Sequence, residues 1–300
     1  MISFPAYDAE QSRPHARISC PEPYARHSRR NRTDALKVGM FSKSEIQAIA
    51  VAQSAADLNC SPADFSKKKN VIVARTALPP NARKYYKEPI ACTMVSYGGN
   101  LVASVQPEYR DIIAEYIGRF EPYHCLETPG IHLLNEKLKP YGLAVCFMAG
   151  YFLPDPDRLA PRTCRFETRL LTRPDFADMY RPEWSNALCK GRSQLDMICI
   201  GAYDGENLIG LAGCSADCES MWQIGIDVLP EFRGKRIGTA LVSQLAAETL
   251  KRGKVPFYCA AWANLRSIRT ALGCGFQPAW AEMTVKPLSV IHELNENTSR

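Results

Sequence analysis

The sequence has no C-x-x-C pair, although it carries 12 cysteines in 300 residues. The closest two, Cys214 and Cys218, have no histidine nearby. Zinc-site spellings are therefore missing, as is the disulfide framework of a small secreted domain. Most of the cysteines stand in apolar text such as "AVCFMAG" and "MICIGA". A free thiol behaves there as a small hydrophobe, so structural thiols, no metal and a reducing compartment are expected. No apolar run reaches the ~20 residues of a membrane span. The opening "MISFPAYDAEQSRPHARISC" also lacks the apolar centre of a secretion signal. A cytoplasmic protein without a membrane partner is expected. Charge of one sign is modest: Lys+Arg 37 against Asp+Glu 31 leaves +6. That suits an anionic ligand such as a nucleotide and falls short of the footprint of a nucleic-acid binder. The usual phosphate-loop spellings are missing too: neither G-x-x-x-x-G-K-[ST] nor G-x-G-x-x-G can be read through Gly234 and Gly238.

What is present divides into four stretches. Residues 1–36 hold four prolines and the cluster "RHSRRNR" and are expected to be a disordered basic tail. Met40 is an alternative start, and Ser42 or Ser44 can cap the helix that follows. Within 37–155, "NVIVART" and "IACTMVSYGGNLVASVQ" predict strands, the latter pair turning at Gly98-Gly99-Asn100. "EYRDIIAEYIGRF" and "GIHLLNEKLKPYG" have helical spacing, and "LAVCFMAGYFL" is strand-like. This predicts a smaller N-terminal α+β domain, ending at the proline-rich linker "LPDPDRLAPR".

Residues 156–288 change character. "RFETRLLT" predicts a strand, and a helix is expected from Pro174 to Leu188. "LDMICIGAYDGENLIGLAGCSA" predicts a hairpin turning at Asp204-Gly205. "SMWQIGIDVLP" is a strand stopped by Pro230, and the next helix ends before Gly253. A strand "VPFYCAAWA", a helix capped by Asn264 and a closing strand "FQPAWAEMTVKP" complete an α/β layered domain with a mixed, mostly antiparallel central sheet. Residues 289–300 are expected to be a C-terminal tail.

The chemistry is concentrated in "PEFRGKRIGTALV", residues 230–242. Arg233, Gly234, Lys235, Arg236, Ile237 and Gly238 lie between a strand and the first turn of a helix, with Thr239 adding a hydroxyl. Helix-opening N–H groups lack intrahelical acceptors, the dipole is positive there, and glycine lets backbone approach an anion. The turn reads equally as a pyrophosphate cradle or as a basic surface turn before an amphipathic helix.

"IDVLPEFRGKRIGTALV" followed by "AAWANLRSIRTALGCGF" resembles the GCN5-related N-acetyltransferases, the GNAT superfamily. Its coenzyme motif is Q/R-x-x-G-x-G/A after a strand reading V-x-P, and Val228, Pro230, Arg233, Ile237 and Gly238 fill matching positions. Asn264, opening a helix that ends in Gly275-Phe276, matches a second element. The resemblance spans about residues 165–287, most closely to two-domain bacterial members. It implies acetyl-CoA as cosubstrate. Pyrophosphate would lie on the turn, pantetheine between two splayed strands ("MWQIGIDVL" and "VPFYCAAWA"), Val228 backbone would face the pantetheine or thioester carbonyl, and Asn264 would contact the coenzyme from the other side.

Two positions depart from the pattern. Arg236 replaces the first motif glycine, so this position need not have positive φ, or else the turn is re-set; its guanidinium can contact phosphate, the 3′-phosphate among them. Seven residues after Asn264, where many relatives carry a proton-donating tyrosine, stands Ala271. Solvent, Tyr258 and Ser267 are the alternative donors. For the base, the strand position that holds glutamate in some relatives falls near Trp222, leaving Asp227 as the favoured candidate over Asp217 and Glu219. Trp222, Trp262 and Trp280 with Phe257 and Tyr258 serve either as core or as acceptor-site lining.

The expected activity is direct acetyl transfer to a primary amine, on a small molecule or a peptide, with the oxyanion held by a backbone N–H near Val228. No cysteine nucleophile is required; Cys259 is the one to test. The alternative is a non-catalytic acyl-CoA-binding or sensing protein. Nucleic acid is not the expected partner, though the arginine-rich tail admits an RNA-associated reading, and a homodimer is left open.

Overall fold

The computed structural model describes residues 41–87 and 89–298. The expected basic tail and the alternative start at Met40 lie outside them. The described residues all fall within one compact unit. Among them no helix is long and apolar enough to cross a membrane.

Helix α1 (Lys43–Leu58) is opened by Ser42, which forms a reciprocal capping box with Glu45. The short strands β1 (Val71–Ala74), β2 (Cys92–Ser96) and β3 (Val102–Val105) follow, then α2 (Arg110–Arg119), α3 (Thr128–Leu138) and the long β4 (Leu143–Pro154). Next come β5 (Glu167–Leu171), the single turn α4 (Arg173–Phe176), β6 (Asp196–Asp204), β7 (Asn207–Ser215) and β8 (Met221–Val228). Helix α5 (Ile237–Lys251), β9 (Val255–Ala260), α6 (Leu265–Cys274), β10 (Phe276–Pro287) and α7 (Leu288–Thr298) complete the chain.

The ten strands among the described residues belong to one sheet, in the order β1-β3-β2-β10-β4-β9-β8-β7-β6-β5. Its pairings are antiparallel except β1–β3 and β8–β9. Strand β10 joins the two halves: it pairs with β2 on one side and β4 on the other. The linker after β4 therefore does not break the sheet. Each half nevertheless has its own core, with α2 and α3 over β2, β3 and β10, and α5 and α6 over β6 to β9.

The opposite face carries α1 against Val95, Tyr151, Phe257 and Trp280. Arg83 is sealed there, 1% exposed, with its Nη1 donating to Asp57 Oδ2 (2.6 Å) and its backbone N–H to Asp57 Oδ1 (2.7 Å). The guanidinium lies 5.0 Å from the Phe257 ring centroid and 5.5 Å from that of Trp280.

Two expectations are corrected. The helix predicted over Pro174–Leu188 is reduced to α4 and a 3-10 turn, Pro182–Trp184. Arg181, preceding Pro182, is forced into extended backbone (φ −117°, ψ 159°), and the following residues are drawn onto the sheet. The C-terminal stretch read as a tail forms α7, whose half-buried Leu288, Val290 and Ile291 give it an apolar side.

Candidate active site

Strands β8 and β9 run parallel in register from Met221 opposite Val255 to Ile224 opposite Tyr258, and then part. Beyond that point β8 stays with β7, while Cys259 and Ala260 of β9 pair with β4. The result is a wedge in the sheet. Leu229 N donates to Ile209 O (3.0 Å), which sets the alternation along β8. Backbone groups of Gly225 and Asp227 therefore face β7, and those of Ile226 and Val228 face the wedge. A cleft of about 1120 Å³ opens here, bounded by β8, the start of α5, α6 and residues Phe147 and Ala149 of β4. That is ample for a large extended ligand.

At one end lies the basic turn. Pro230 stops β8, Gly234 takes φ +77°, and Arg236 caps α5 at φ +61°, ψ 15°. Arg236 thus adopts a left-handed backbone, which decides against the first of the two alternatives, a position without positive φ. The first helical bond is Ala240 N to Arg236 O (3.1 Å), leaving the N–H groups of Arg236, Ile237, Gly238 and Thr239 without intrahelical acceptors. Arg233 Nε donates to Val228 O (2.9 Å) and Lys235 Nζ sits 4.7 Å from the Phe232 centroid, so both brace the turn. Arg236 lines the cleft, as do Arg266 and Arg269 of α6. Those two arginines were missed from the sequence; their signal was their spacing behind the N-cap, on one helix face.

On α6, the Asn264 side chain accepts from Ser267 N (3.2 Å), a true N-cap. Ser267 Oγ in turn lies 2.7 Å from Tyr258 Oη, so the two candidate proton donors are brought together. Tyr258 is 2% exposed, and burial foremost pushes its phenol up to about 12. Ala271 is fully buried at the helix position where the resemblance would place a tyrosine.

The opposite face of the wedge is built from the odd-numbered residues of β8. Gln223 Nε2 donates to Cys259 Sγ (3.2 Å), and burial, then the charge of Glu282, pushes that thiol up to about 12. Asp227, expected as the base, accepts from Asn186 N (2.8 Å), Asn186 Nδ2 (2.7 Å) and Ala187 N (2.9 Å). The other carboxylates lie elsewhere: Asp217 is buried in an ion pair with Arg192, and Glu219 is exposed. Of the aromatic group noted in the sequence, Tyr258 alone lines the cleft; Trp222, Phe257 and Trp280 are core and Trp262 is 51% exposed. Phe147, 41% exposed, supplies an aromatic wall that no sequence motif marked.

Residues 164–276 match the model of the Acetyltransferase (GNAT) family. Comparison with curated proteins finds no match. Among solved structures, the chain is similar to a GNAT-family protein from Novosphingobium aromaticivorans, at 19% identity over 48% of this chain and 66% of that one, TM-score 0.38. It thus spans just under two thirds of that protein's length. A GCN5-related N-acetyltransferase from Kribbella flavida aligns at 10% identity over 81% of this chain and 95% of that one, TM-score 0.45. The aminoglycoside N-acetyltransferase AAC(6')-Iy, solved in complex with CoA, aligns at 17% identity over 40% of this chain and 93% of that one, TM-score 0.32.

Proposed function

We propose, from the match of residues 164–276 to the Acetyltransferase (GNAT) family model, that the chain transfers an acetyl group from acetyl-CoA to a primary amine by direct attack. The observation that carries the reading is the wedge between β8 and β9 with a helix N-terminus at its mouth. The residues fit the coenzyme. Unsatisfied N–H groups at the start of α5, with Arg236, Arg266 and Arg269, suit its phosphates. The outward backbone of Ile226 suits a pantetheine amide as an added strand would, the Val228 carbonyl being taken by Arg233. A Cβ placed on Gly238 would make ordinary contacts with Ile226 Cγ1 (3.5 Å), Val228 Cγ2 (3.8 Å) and Thr270 Cγ2 (3.9 Å), which places this glycine between β8 and α6 at the start of α5.

When bound, acetyl-CoA supplies an activated acyl group on a thiol leaving group. The protein's part is to orient, exclude water and move protons. The Val228 N–H faces the wedge and is the donor for developing oxyanion charge. The Tyr258–Ser267 hydroxyl pair is the proton source for the departing sulfur, and the proton given up by the attacking amine passes to solvent at the open cleft; the raised phenol keeps its own proton throughout the neutral range. The acceptor enters from the opposite face, between Phe147 and Ala149 on one side and Asn186 on the other. The half of the sheet before residue 155 is thereby read as a lobe that contributes one wall of the acceptor site.

The second reading, an acyl-CoA sensor without turnover, is favoured by one observation, the buried alanine at position 271. Thiol release from acetyl-CoA in the presence of an amine panel separates the two. CoA release with any amine supports the transferase; tight coenzyme binding with no release across the panel supports the sensor.

A further inference from the structure

The face of the wedge away from α5 holds an arrangement that the transfer reaction leaves unexplained. Gly213 of β7 and Gly225 of β8 are direct cross-strand partners. A Cβ on Gly213 would stand 2.1 Å from Ala187 O, and one on Gly225 would stand 1.8 Å from Asn186 O. The pair is a window in the sheet through which the backbone of residues 186–187 lies directly on the strands. Trp184 and Leu188 bury on either side of this loop, with Phe176 and Leu211. Between those anchors Asp227 holds the Asn186 and Ala187 N–H groups: one carboxylate oxygen takes both backbone N–H groups and the other takes the Asn186 amide.

We infer that Asp227 is a positioning residue, a latch that fixes the 186–187 wall of the acceptor site to the strand whose other face receives the coenzyme. The inference rests on the acetyltransferase reading for its kinetic consequence, not for the latch itself. A carboxylate has about four lone-pair sites, and three here accept from N–H donors of residues 186–187, so most of its hydrogen-bonding capacity is committed to that loop. The geometry suits a fixed acceptor and not a proton carrier. Asp227 sits on the same strand as Val228, so one residue ties acceptor wall to oxyanion donor.

The test uses the full chain. Asp227→Asn replaces one acceptor oxygen with an N–H donor facing N–H donors, and about a tenfold rise in acceptor KM is expected from losing a charge-assisted contact. Coenzyme affinity and the shape of the pH profile of kcat/KM should be retained. Gly225→Ala moves the same loop without altering the carboxylate and should reproduce the acceptor KM defect. Asn186→Ala removes a single bond at an exposed site and should fold normally with a smaller rise in the same constant. Loss of the acidic limb of the pH profile in Asp227→Asn, with acceptor KM unchanged, would make Asp227 the base and overturn the latch. Hydrogen exchange at the Asn186 and Ala187 amides decides the matter even if no amine is turned over. Faster exchange in Asp227→Asn supports the latch, and unchanged exchange overturns it whatever the reaction is.

Discussion

Tyr258 Oη and Ser267 Oγ lie 2.7 Å apart, joining β9 to the first turn of α6 at the wall of the wedge. In the proposed reaction this pair would take the place of the helix tyrosine that the resemblance implies, where the chain has Ala271. The Asn264 cap fixes that serine, because the same residue that donates its N–H to Asn264 Oδ1 carries the Oγ. Tyr258→Phe should lower kcat by about a hundredfold, the low end of what a positioned general acid contributes, while leaving coenzyme affinity intact. Ser267→Ala should cost less. Steady-state kinetics with a fixed amine separates the two. The pH dependence has a definite sign. An unfolded tyrosine releases its proton near 10.0, whereas the buried Tyr258 holds it to about 12. Its contribution to stability is therefore complete below pH 10 and is lost as pH climbs through about 12. Alkaline unfolding of Tyr258→Phe should accordingly begin at higher pH than that of the wild type.

Arg236 presents a trade between strain and binding. A non-glycine residue at φ +61° costs about 1 kcal/mol or more of backbone strain. Nothing in the turn requires a side chain at that position for packing, since Arg236 lines the cleft. Arg236→Gly should therefore raise the unfolding free energy by roughly 1 kcal/mol, less the extra chain entropy of glycine. The same change should weaken CoA binding, because it removes a guanidinium beside the anion-binding helix start. Calorimetry on both proteins checks this. Equal CoA affinity would show that the arginine is tolerated there without a phosphate contact.

The Arg83–Asp57 pair predicts the opposite pattern, large for stability and silent for the coenzyme. Both groups are sealed between α1 and the sheet, and removing one leaves the other charge buried. Arg83→Ala should cost about 3–5 kcal/mol, lowering the melting temperature by on the order of 10 °C for a chain of this size. Thermal denaturation followed by circular dichroism measures it, and CoA affinity of the folded fraction should not change.

The parts of this architecture legible in the sequence are those written within one local stretch. The α5 turn needed only Pro230, Gly234 and the basic residues, and the α6 cap needed only Asn264 and Gly275-Phe276. The parting of β8 and β9 followed from the same motifs. What stayed hidden depends on residues far apart in the chain. Strand β10 reads as a plain closing strand, yet its twelve residues pair with β2 and β4 and weld the expected domains into one sheet; pairing partners are not encoded in periodicity. Asp227 reads as a lone acid in an apolar strand, which suggested a base. Its partners, some forty residues upstream, become visible only when Gly213 and Gly225 are seen side by side. The left-handed Arg236 shows the reverse case, in which the fold imposes a backbone conformation that the residue alone would not choose.

Cys259 offers the cleanest discrimination between direct transfer and a covalent relay. It lines the cleft where the strands part, the position from which a thiol could accept an acyl group. A nucleophilic cysteine must reach the thiolate, and catalytic cysteines do so in electropositive surroundings. Here burial and the nearby Glu282 charge act in the other direction, holding the thiol at about 12. The thiol therefore keeps its proton at neutral pH, which disfavours a route through an acyl-enzyme. Cys259→Ala should therefore keep kcat within about threefold, the loss coming from a small cavity and the unpaired Gln223 amide. Initial-rate patterns with both substrates varied should intersect, as for a ternary complex. Parallel lines together with an inactive Cys259→Ala would establish the covalent route instead.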